Sequence, residues 1–432
     1  MPVLSAANKK SMRTPFSQAQ NDELPIAGLA RSAAAETACA RTSAGVRPLR
    51  LLIGLQYYLP HRTGYTLHVQ RVARALAARG HSVTVLTARH LPQLTPRETV
   101  EGVDVVRLPA PLRISRGAVM PGYPWHAWRL AAQADAIWIS TPLLETSLWA
   151  MVARLRRRRL VVTHHGDLHL PAGALNRFIE GFTFANYRIA ARAADAIVGY
   201  SDDYARFSPY LRPYADKVVV NYPPLEIPQP DAEGTARLRS RLAPQGGPVI
   251  GFAGRFVREK RPDVLLAAAL LLRERFPGLR IAFAGQHQIG YEDTWQRCGE
   301  LLQQVGDTAV FLGLIEDAQA LADFYAACDV LALPSESECF ALVQVEAMLC
   351  GTPVVTSDIP GARVPVQQTG MGRLFECGDA RALAEAVAAV LAEPARYRRS
   401  RLQIEAVFDI ERTVDRYEAL FAGRAPAPAG SI

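Results

Sequence analysis

Along the chain, short apolar runs alternate with longer segments in which apolar residues recur at three- and four-residue spacing. The first run is LLIGL, from Leu51. A polar loop, LPHRTGYT, follows, and then TLHVQRVARALAARG, which reads as a helix ending at Gly80. HSVTVLTA is the next strand, and the alternation continues through VDVVRLPA, ADAIWIS, LLETSLWAMVARL and RLVVTHHGD. A helical stretch from Leu175 to Ala194 leads to DAIVGYS and KVVVNYPP. Strand-helix alternation of this kind predicts an α/β fold with a parallel, doubly wound sheet. A Pro-rich polar segment, Pro223 to Pro248, then interrupts the pattern and reads as a linker. Beyond it the pattern restarts with VIGFAG, a helix from Val264 to Arg275, and the strands LRIAFAGQ, TAVFLG and CDVLALPS. An apolar-periodic segment from Phe340 to Cys350 is closed by Gly351, and IERTVDRYEALF is a late amphipathic helix.

A chain of 432 residues exceeds one hydrophobic core, which agrees with two domains. The boundaries read as an N-terminal domain over 47–225, a linker over 226–248, a C-terminal domain over 249–405 and a terminal helix and tail over 406–432. Residues 1–46, rich in Ala and Ser and without periodicity, read as a disordered extension. Composition is that of an ordinary globular protein, 49% hydrophobic and 21% charged. The formal charge of +8 favours an anionic partner: a nucleoside diphosphate, a phospholipid headgroup or a nucleic acid. No nucleic-acid-binding motif accompanies it, so nucleic acid is set aside. No run approaches the ~20 apolar residues of a membrane span, and the start lacks the apolar core of a secretion signal. Cys39, Cys298, Cys328, Cys339, Cys350 and Cys377 show neither metal nor disulfide spacing and suit a reducing, cytoplasmic setting.

Three stretches carry candidate chemistry. In PSESECFALVQVEAMLCGTPVV, Glu346 has Leu342, Val343, Leu349 and Cys350 as helical neighbours. A carboxylate among these is largely buried and needs a strong donor. Glu338, in the preceding loop, adds a second carboxylate at the carboxyl end of a parallel strand, where open α/β sheets bind ligands. In GRFVREKRPD, Arg255 and Lys260 precede a helix that Pro262 opens, beside a natural anion site. THHGDLH gathers His164, His165, Asp167 and His169. These types suit a transition metal, but four donors in six loop residues form no regular ligand face. Two further features read as structural first: the aromatic segment Pro111 to Trp128 as loop anchoring, and RLRRRR, Arg154 to Arg159, as a solvated face. The basic run also leaves open attraction to an anionic membrane surface.

Glu338, Phe340 and Glu346, flanked by Pro334-Ser335 and Gly351-Thr352-Pro353-Val354-Val355, resemble the E-x7-E signature of glycosyltransferase family 4. The resemblance extends from about Leu51 to about Leu420, and G-R-x4-K at Arg255 and Lys260 matches the family's diphosphate-binding element. Ala341 departs from it, since the family usually has Gly there. The resemblance implies a GT-B fold, two Rossmann-like domains facing a cleft, with the last helix crossing back to the first domain. It implies retaining, metal-independent transfer of a sugar from a nucleoside diphosphate to a glycan, lipid or lipid-linked acceptor, with no cofactor. Glu346 would accept ribose hydroxyls, Glu338 sugar hydroxyls, and Arg255 and Lys260 the departing diphosphate. The backbone around Phe340, Ala341 and Leu342 would approach the phosphates, and that of Leu314 and Ile315 would hold the base. Gly64 and Tyr65, in the first glycine-containing loop, would lie over phosphates or acceptor. His165 would point into the cleft, with His164 the adjacent candidate. Other GT-B chemistries, epimerisation among them, and a silent scaffold are the alternatives. An epimerase motif is absent, and the charged motif residues are intact.

Overall fold

The structure is a computed structural model that describes residues 47–426 except 115, 116, 142, 169–172 and 291. The expected N-terminal extension, His169 and the end of the tail lie outside the described residues. In chain order the first half contains β1 (Arg50–Gly54), α1 (Gly64–Ala78), β2 (Ser82–Arg89), β3 (Arg97–Val100), β4 (Val103–Pro109), β5 (Leu112–Ile114) and β6 (Gly117–Val119). It continues with α2 (Tyr123–Ala131), β7 (Ala136–Thr141), α3 (Thr146–Arg156), β8 (Arg159–His164), α4 (Ala174–Ala193), β9 (Ala196–Gly199), α5 (Asp202–Phe207) and β10 (Val218–Val220). These strands form a sheet in the order β10-β9-β8-β7-β1-β2-β4-β3, parallel apart from β3, while β5 and β6 pair as a separate hairpin. Leu160, Val161 and Val162 of β8 are all fully buried, as a strand covered on both faces requires. The helices α2, α3 and α4 pack on one face through Tyr123, Trp149 and Tyr187.

The second half contains α6 (Ala232–Leu242), β11 (Val249–Ala253), α7 (Pro262–Arg275), β12 (Arg280–Ala284), α8 (Thr294–Arg297), α9 (Gly299–Val305) and β13 (Ala309–Gly313). It ends with α10 (Ala318–Ala327), β14 (Val330–Leu333), α11 (Leu342–Leu349), β15 (Val354–Ser357), α12 (Arg363–Thr369), β16 (Gly372–Phe375), α13 (Ala380–Ala392), α14 (Pro394–Tyr397), α15 (Arg401–Val407) and α16 (Ile410–Phe421). Its sheet, β13-β12-β11-β14-β15-β16, is wholly parallel. The order reverses direction between β11 and β14, and the carboxyl ends of those two strands therefore border a crevice. The first sheet has the same reversal between β1 and β7. Two Rossmann-like units in one chain make this a GT-B fold.

Several boundaries differ from the sequence expectation for local reasons. The first helix starts at Gly64 because Thr63 caps it: Thr63 Oγ1 accepts from Thr66 N at 3.2 Å and Thr66 Oγ1 from Thr63 N at 2.8 Å. The expected linker is not bare, since α6 lies inside it. Asp231 caps α6 by accepting from Gly234 N at 2.7 Å, and Arg239 donates to Ala327 O at 2.9 Å and Asp329 Oδ2 at 2.6 Å. That helix belongs to the second unit. The segment Pro111 to Trp128 holds a hairpin and most of α2 rather than a loop; Tyr123 is buried, but Trp125 is 64% exposed. The last helix, α16, crosses back onto the other face of the first sheet. There Val414, Tyr417, Leu420 and Phe421 join Val69, Val72 and Leu76 of α1. Arg79 clamps α16, donating to Asp415 at 2.6 Å and Glu418 at 2.9 Å.

Candidate functional site

At the crevice of the second sheet, the loop after β11 carries Arg255 and Lys260 and the loop after β14 carries Ser335 and Glu338. The Lys260 ammonium pairs with Glu338 Oε1, and Ser335 Oγ donates to the same oxygen at 2.9 Å. Glu336 N donates to Glu259 O at 2.9 Å, which ties the two loops together. Burial alone would lower the pKa of Lys260, but the charge and hydrogen bond of Glu338 outweigh it and hold it above the ordinary value. Lys260 is thus held as a cation against a carboxylate. The side chain of Arg255 is exposed. The helix α7 begins at Pro262, just after Arg261. Its first turn carries Asp263, held by Arg261 Nη2 at 2.9 Å.

Glu346 sits in α11 and is half-buried. Tyr325, from α10, donates to its Oε2 at 3.0 Å. Burial raises its pKa above the ordinary carboxylate value, opposed by the Arg71 guanidinium of the first domain and by the Tyr325 hydrogen bond. Its sequence neighbours showed that it needed a donor; Tyr325 is that donor within the protein. Ala341 caps α11 in the left-handed region, with φ 60° and ψ 76°. The side chain of Phe340 lies in the core: it is 1% exposed and packs on Tyr222, Tyr200 and Phe408 at 5.5, 6.2 and 5.6 Å between ring centroids. Leu314 and Ile315 follow β13, at the same sheet edge but beyond β12; Leu314 is exposed and Ile315 half-buried.

The first domain meets this loop directly. A Cβ placed on Gly64 would lie 3.4 Å from Leu342 Cδ1, and Cys339 Sγ donates to His165 O at 3.0 Å. Asp203 of α5 accepts from Arg363 Nη2 at 2.6 Å, from Arg363 Nε at 2.9 Å and from Gly361 N at 2.9 Å. Only glycine fits at Gly361, where φ is 81° and a Cβ would lie 2.4 Å from Glu338 O.

His165 and His164, adjacent in sequence, have opposite fates. His164 is 1% exposed, bonded to Thr141 Oγ1 at 3.1 Å and set 3.3 Å from Asp167 Oδ1, with Tyr210 against its ring. Its side chain is enclosed by protein, so the substrate-contact expectation is corrected to a structural one. His165 is half-buried; its Nδ1 lies 2.5 Å from Tyr200 OH, and its Nε2 has no hydrogen-bond partner among the described residues. Burial, then the neighbouring His68 and His164, push its pKa well below the ordinary value, so it is neutral. Behind it a buried chain runs from Tyr200 OH to His68 Nδ1 at 3.2 Å, His68 Nε2 to Tyr417 OH at 2.8 Å, and Tyr417 OH to Thr163 Oγ1 at 2.9 Å. Trp138 Nε1 donates to Thr163 Oγ1 at 2.9 Å. Tyr65 rests edge-on against His165 at 4.7 Å, but its hydroxyl is spent on Ser140 O at 3.0 Å.

Sequence reading missed Glu145, the residue before α3 at the carboxyl end of β7. Its Oε2 is buried without a hydrogen-bond partner among the described residues, and burial pushes its carboxyl up to about 7. The only hint in the sequence is a lone acid in the otherwise uncharged stretch LLETSLWAMVA. Among the described residues no group of three or more His, Cys, Asp or Glu is arranged to hold a metal ion.

Two sequence families cover most of the chain. Residues 63–224 match the glycosyl transferase 4-like domain and residues 236–406 the glycosyl transferases group 1. A D-inositol 3-phosphate glycosyltransferase of Catenulispora acidiphila is 31% identical over 393 residues, spanning 83% of this chain and 90% of the relative. Its counterpart in Mycolicibacterium smegmatis is 34% identical over 216 residues, 48% of each chain. Among solved structures, Anabaena HepE in complex with UDP superposes with a TM-score of 0.69 at 20% identity, over 87% of this chain and 100% of that one. Sucrose-phosphate synthase of Thermosynechococcus elongatus gives 0.66 at 23% identity, over 87% and 100%.

Proposed function

The chain belongs to the group 1 glycosyl transferases, family 4, and from that premise we propose a retaining, metal-independent transfer of sugar from a nucleoside diphosphate to a hydroxyl of a glycan, lipid or lipid-linked acceptor. The observation that carries it is one strand-loop-helix unit, β14 to α11, which delivers two carboxylates in different states to the crevice at the sheet's reversal. Glu338 is pinned by Lys260 and Ser335, whereas Glu346 has Tyr325 on one oxygen and its other, Oε1, to offer. Glu346 accepts from the ribose hydroxyls, and Glu338 holds hydroxyls of the donor sugar. As the sugar-phosphate bond breaks, Arg255 and Lys260 stabilise the charge growing on the diphosphate. His165, its Nε2 buried and without a hydrogen-bond partner among the described residues, is the sugar contact we assign to the opposite domain. The solved neighbours holding UDP make UDP-sugars the first donors to test. A second acceptor class is favoured by the names of the curated relatives, a soluble inositol phosphate.

The test is a cycle of enzyme change against donor change, run throughout in excess EDTA. Glu346→Gln keeps the shape but loses charge and one acceptor, so donor binding should weaken by ~1–3 kcal/mol. Wild type should discriminate against a 2′-deoxyribose donor, and the variant should lose most of that discrimination. Additive penalties would remove Glu346 from the ribose, and loss of turnover in EDTA, restored by a divalent ion, would overturn metal independence.

A further inference from the structure

Seven of the twelve large apolar side chains exposed among the described residues lie on one layer, the helices α2, α3 and α4. On α4, Phe178, Phe182 and Ile189 are 70%, 55% and 50% exposed. Their spacing places them in one stripe along the outer side of the helix. On α3, Met151 and Leu155 are 53% and 62% exposed and one turn apart. A typical monomer leaves such residues scattered singly, whereas a contiguous patch marks an interface.

Charge says which interface. Arg177, Arg188 and Arg192 of α4, Arg154 of α3 and Arg157 just after it are all exposed. Glu180 is the one acid in α4, and α3 has none. An amphipathic surface with guanidinium groups beside aromatic and aliphatic side chains fits a layer of anionic headgroups over acyl chains. A second protein with that complementarity would need an acidic, apolar face; a second copy of this chain offers arginine against arginine.

Register locates the surface. Ser147 Oγ donates to Asn186 Oδ1 at 2.6 Å, which aligns the start of α3 with a point past the middle of α4. The two helices run parallel, so the first half of α4 projects roughly 15 Å beyond the start of α3. It projects past the carboxyl edge of the sheet, on the side where His165 and the cleft lie. Phe178 and Phe182 are on that projecting half.

We propose that the outer face of α3 and α4 seats on an anionic lipid surface, with the projecting half of α4 bringing the cleft to a membrane-borne acceptor. No helix among the described residues is long and apolar enough to cross a membrane, so the contact is peripheral. This rests on the acceptor part of the reading above, but its test involves no turnover, so either can fail alone. The full chain is floated with vesicles of phosphatidylcholine, with and without 30% phosphatidylglycerol, at low and high salt. Wild type should float with the anionic vesicles at low salt, with at least tenfold weaker partition at high salt or on neutral vesicles. The double change F178S/F182S and the triple change R177E/R188E/R192E should each lower partition at least tenfold, with circular dichroism and UDP-sugar hydrolysis unchanged. The proposal is overturned if wild type stays with the pellet at all lipid concentrations, or if both variants float like wild type. A wild-type dimer that F178S/F182S dissociates, with no vesicle binding, would assign the face to a second copy instead.

Discussion

Ala341 holds a left-handed backbone that costs a side-chain-bearing residue roughly 1–2 kcal/mol. Ala341→Gly should relieve that strain, less the greater freedom glycine gains in the unfolded chain. The expected gain is about 0.5–1 kcal/mol, read from the urea midpoint; a loss would mean that the left-handed cap is not strained. The departure from the family's glycine was visible in the sequence, but its meaning was not, because only the backbone angle shows what glycine supplies there. His164 and His165 make the opposite case. Both were visible as candidates, yet His164 ends the strand with its ring against Tyr210 and His165 follows it with its ring among Tyr65, His68 and Tyr200, and no local signal separates them. His68 gives a pH prediction. Burial first, and Arg71 second, lower its pKa to about 3. The unfolded chain takes up that proton near pH ~6.5, so acidification favours unfolding from there down to the folded value. Between pH 7 and 5 wild type should therefore lose about 2 kcal/mol more stability than His68→Asn. Equal losses in urea titrations at the two pH values would show that His68 is charged inside the fold.

Between elements, the hydrogen-bond chain from α16 to His165 has a direction. Trp138 can only donate to Thr163, and Tyr417 is the partner that Thr163 has for its own proton. Tyr417 then donates to His68 Nε2, neutral His68 donates from Nδ1 to Tyr200, and Tyr200 donates to His165 Nδ1. That leaves the single proton of neutral His165 on Nε2, where it is a hydrogen-bond donor. Tyr417→Phe breaks the chain at its hub. Stability should fall by ~1–3 kcal/mol for two buried partners left unmet, and kcat should fall with KM within about twofold. Nitrogen-15 shifts of His165 unchanged from wild type would show that the chain does not set its proton. The crossover of α16 was legible in its amphipathic pattern and in the family resemblance. Its bonds to Thr163 and His68 were not, because they join residues hundreds of positions apart. Helix α6 was missed for another reason: only Leu242 of it is buried, so polar composition hid it in a Pro-rich segment.

At the scale of the molecule, the clasp of Asp203 on Arg363 and Gly361 holds the two domains together beside the candidate site. Removing it with Asp203→Ala should cost the closed arrangement about 1–2 kcal/mol, a roughly five- to thirtyfold shift toward opening. Small-angle scattering without ligand should report a larger radius of gyration, and KM for the donor should rise. Unchanged scattering would show that other contacts suffice. The two parallel sheets and their order of domains were readable from alternation alone, whereas this clasp required knowing which loops face each other. The return of α16 to the first sheet has a further consequence in time. The last strand of that sheet ends at Val220, and the helix that covers its open face begins at Ile410. At a synthesis rate of 5–20 residues per second, roughly 10–40 seconds separate the two on the ribosome. Through that interval Trp138, Val161 and Val198 wait without Tyr417 and Phe421 over them. The N-terminal domain is first to be made and among the last to be finished, and a chain released short of α16 carries an open apolar face that chaperones and proteases can read.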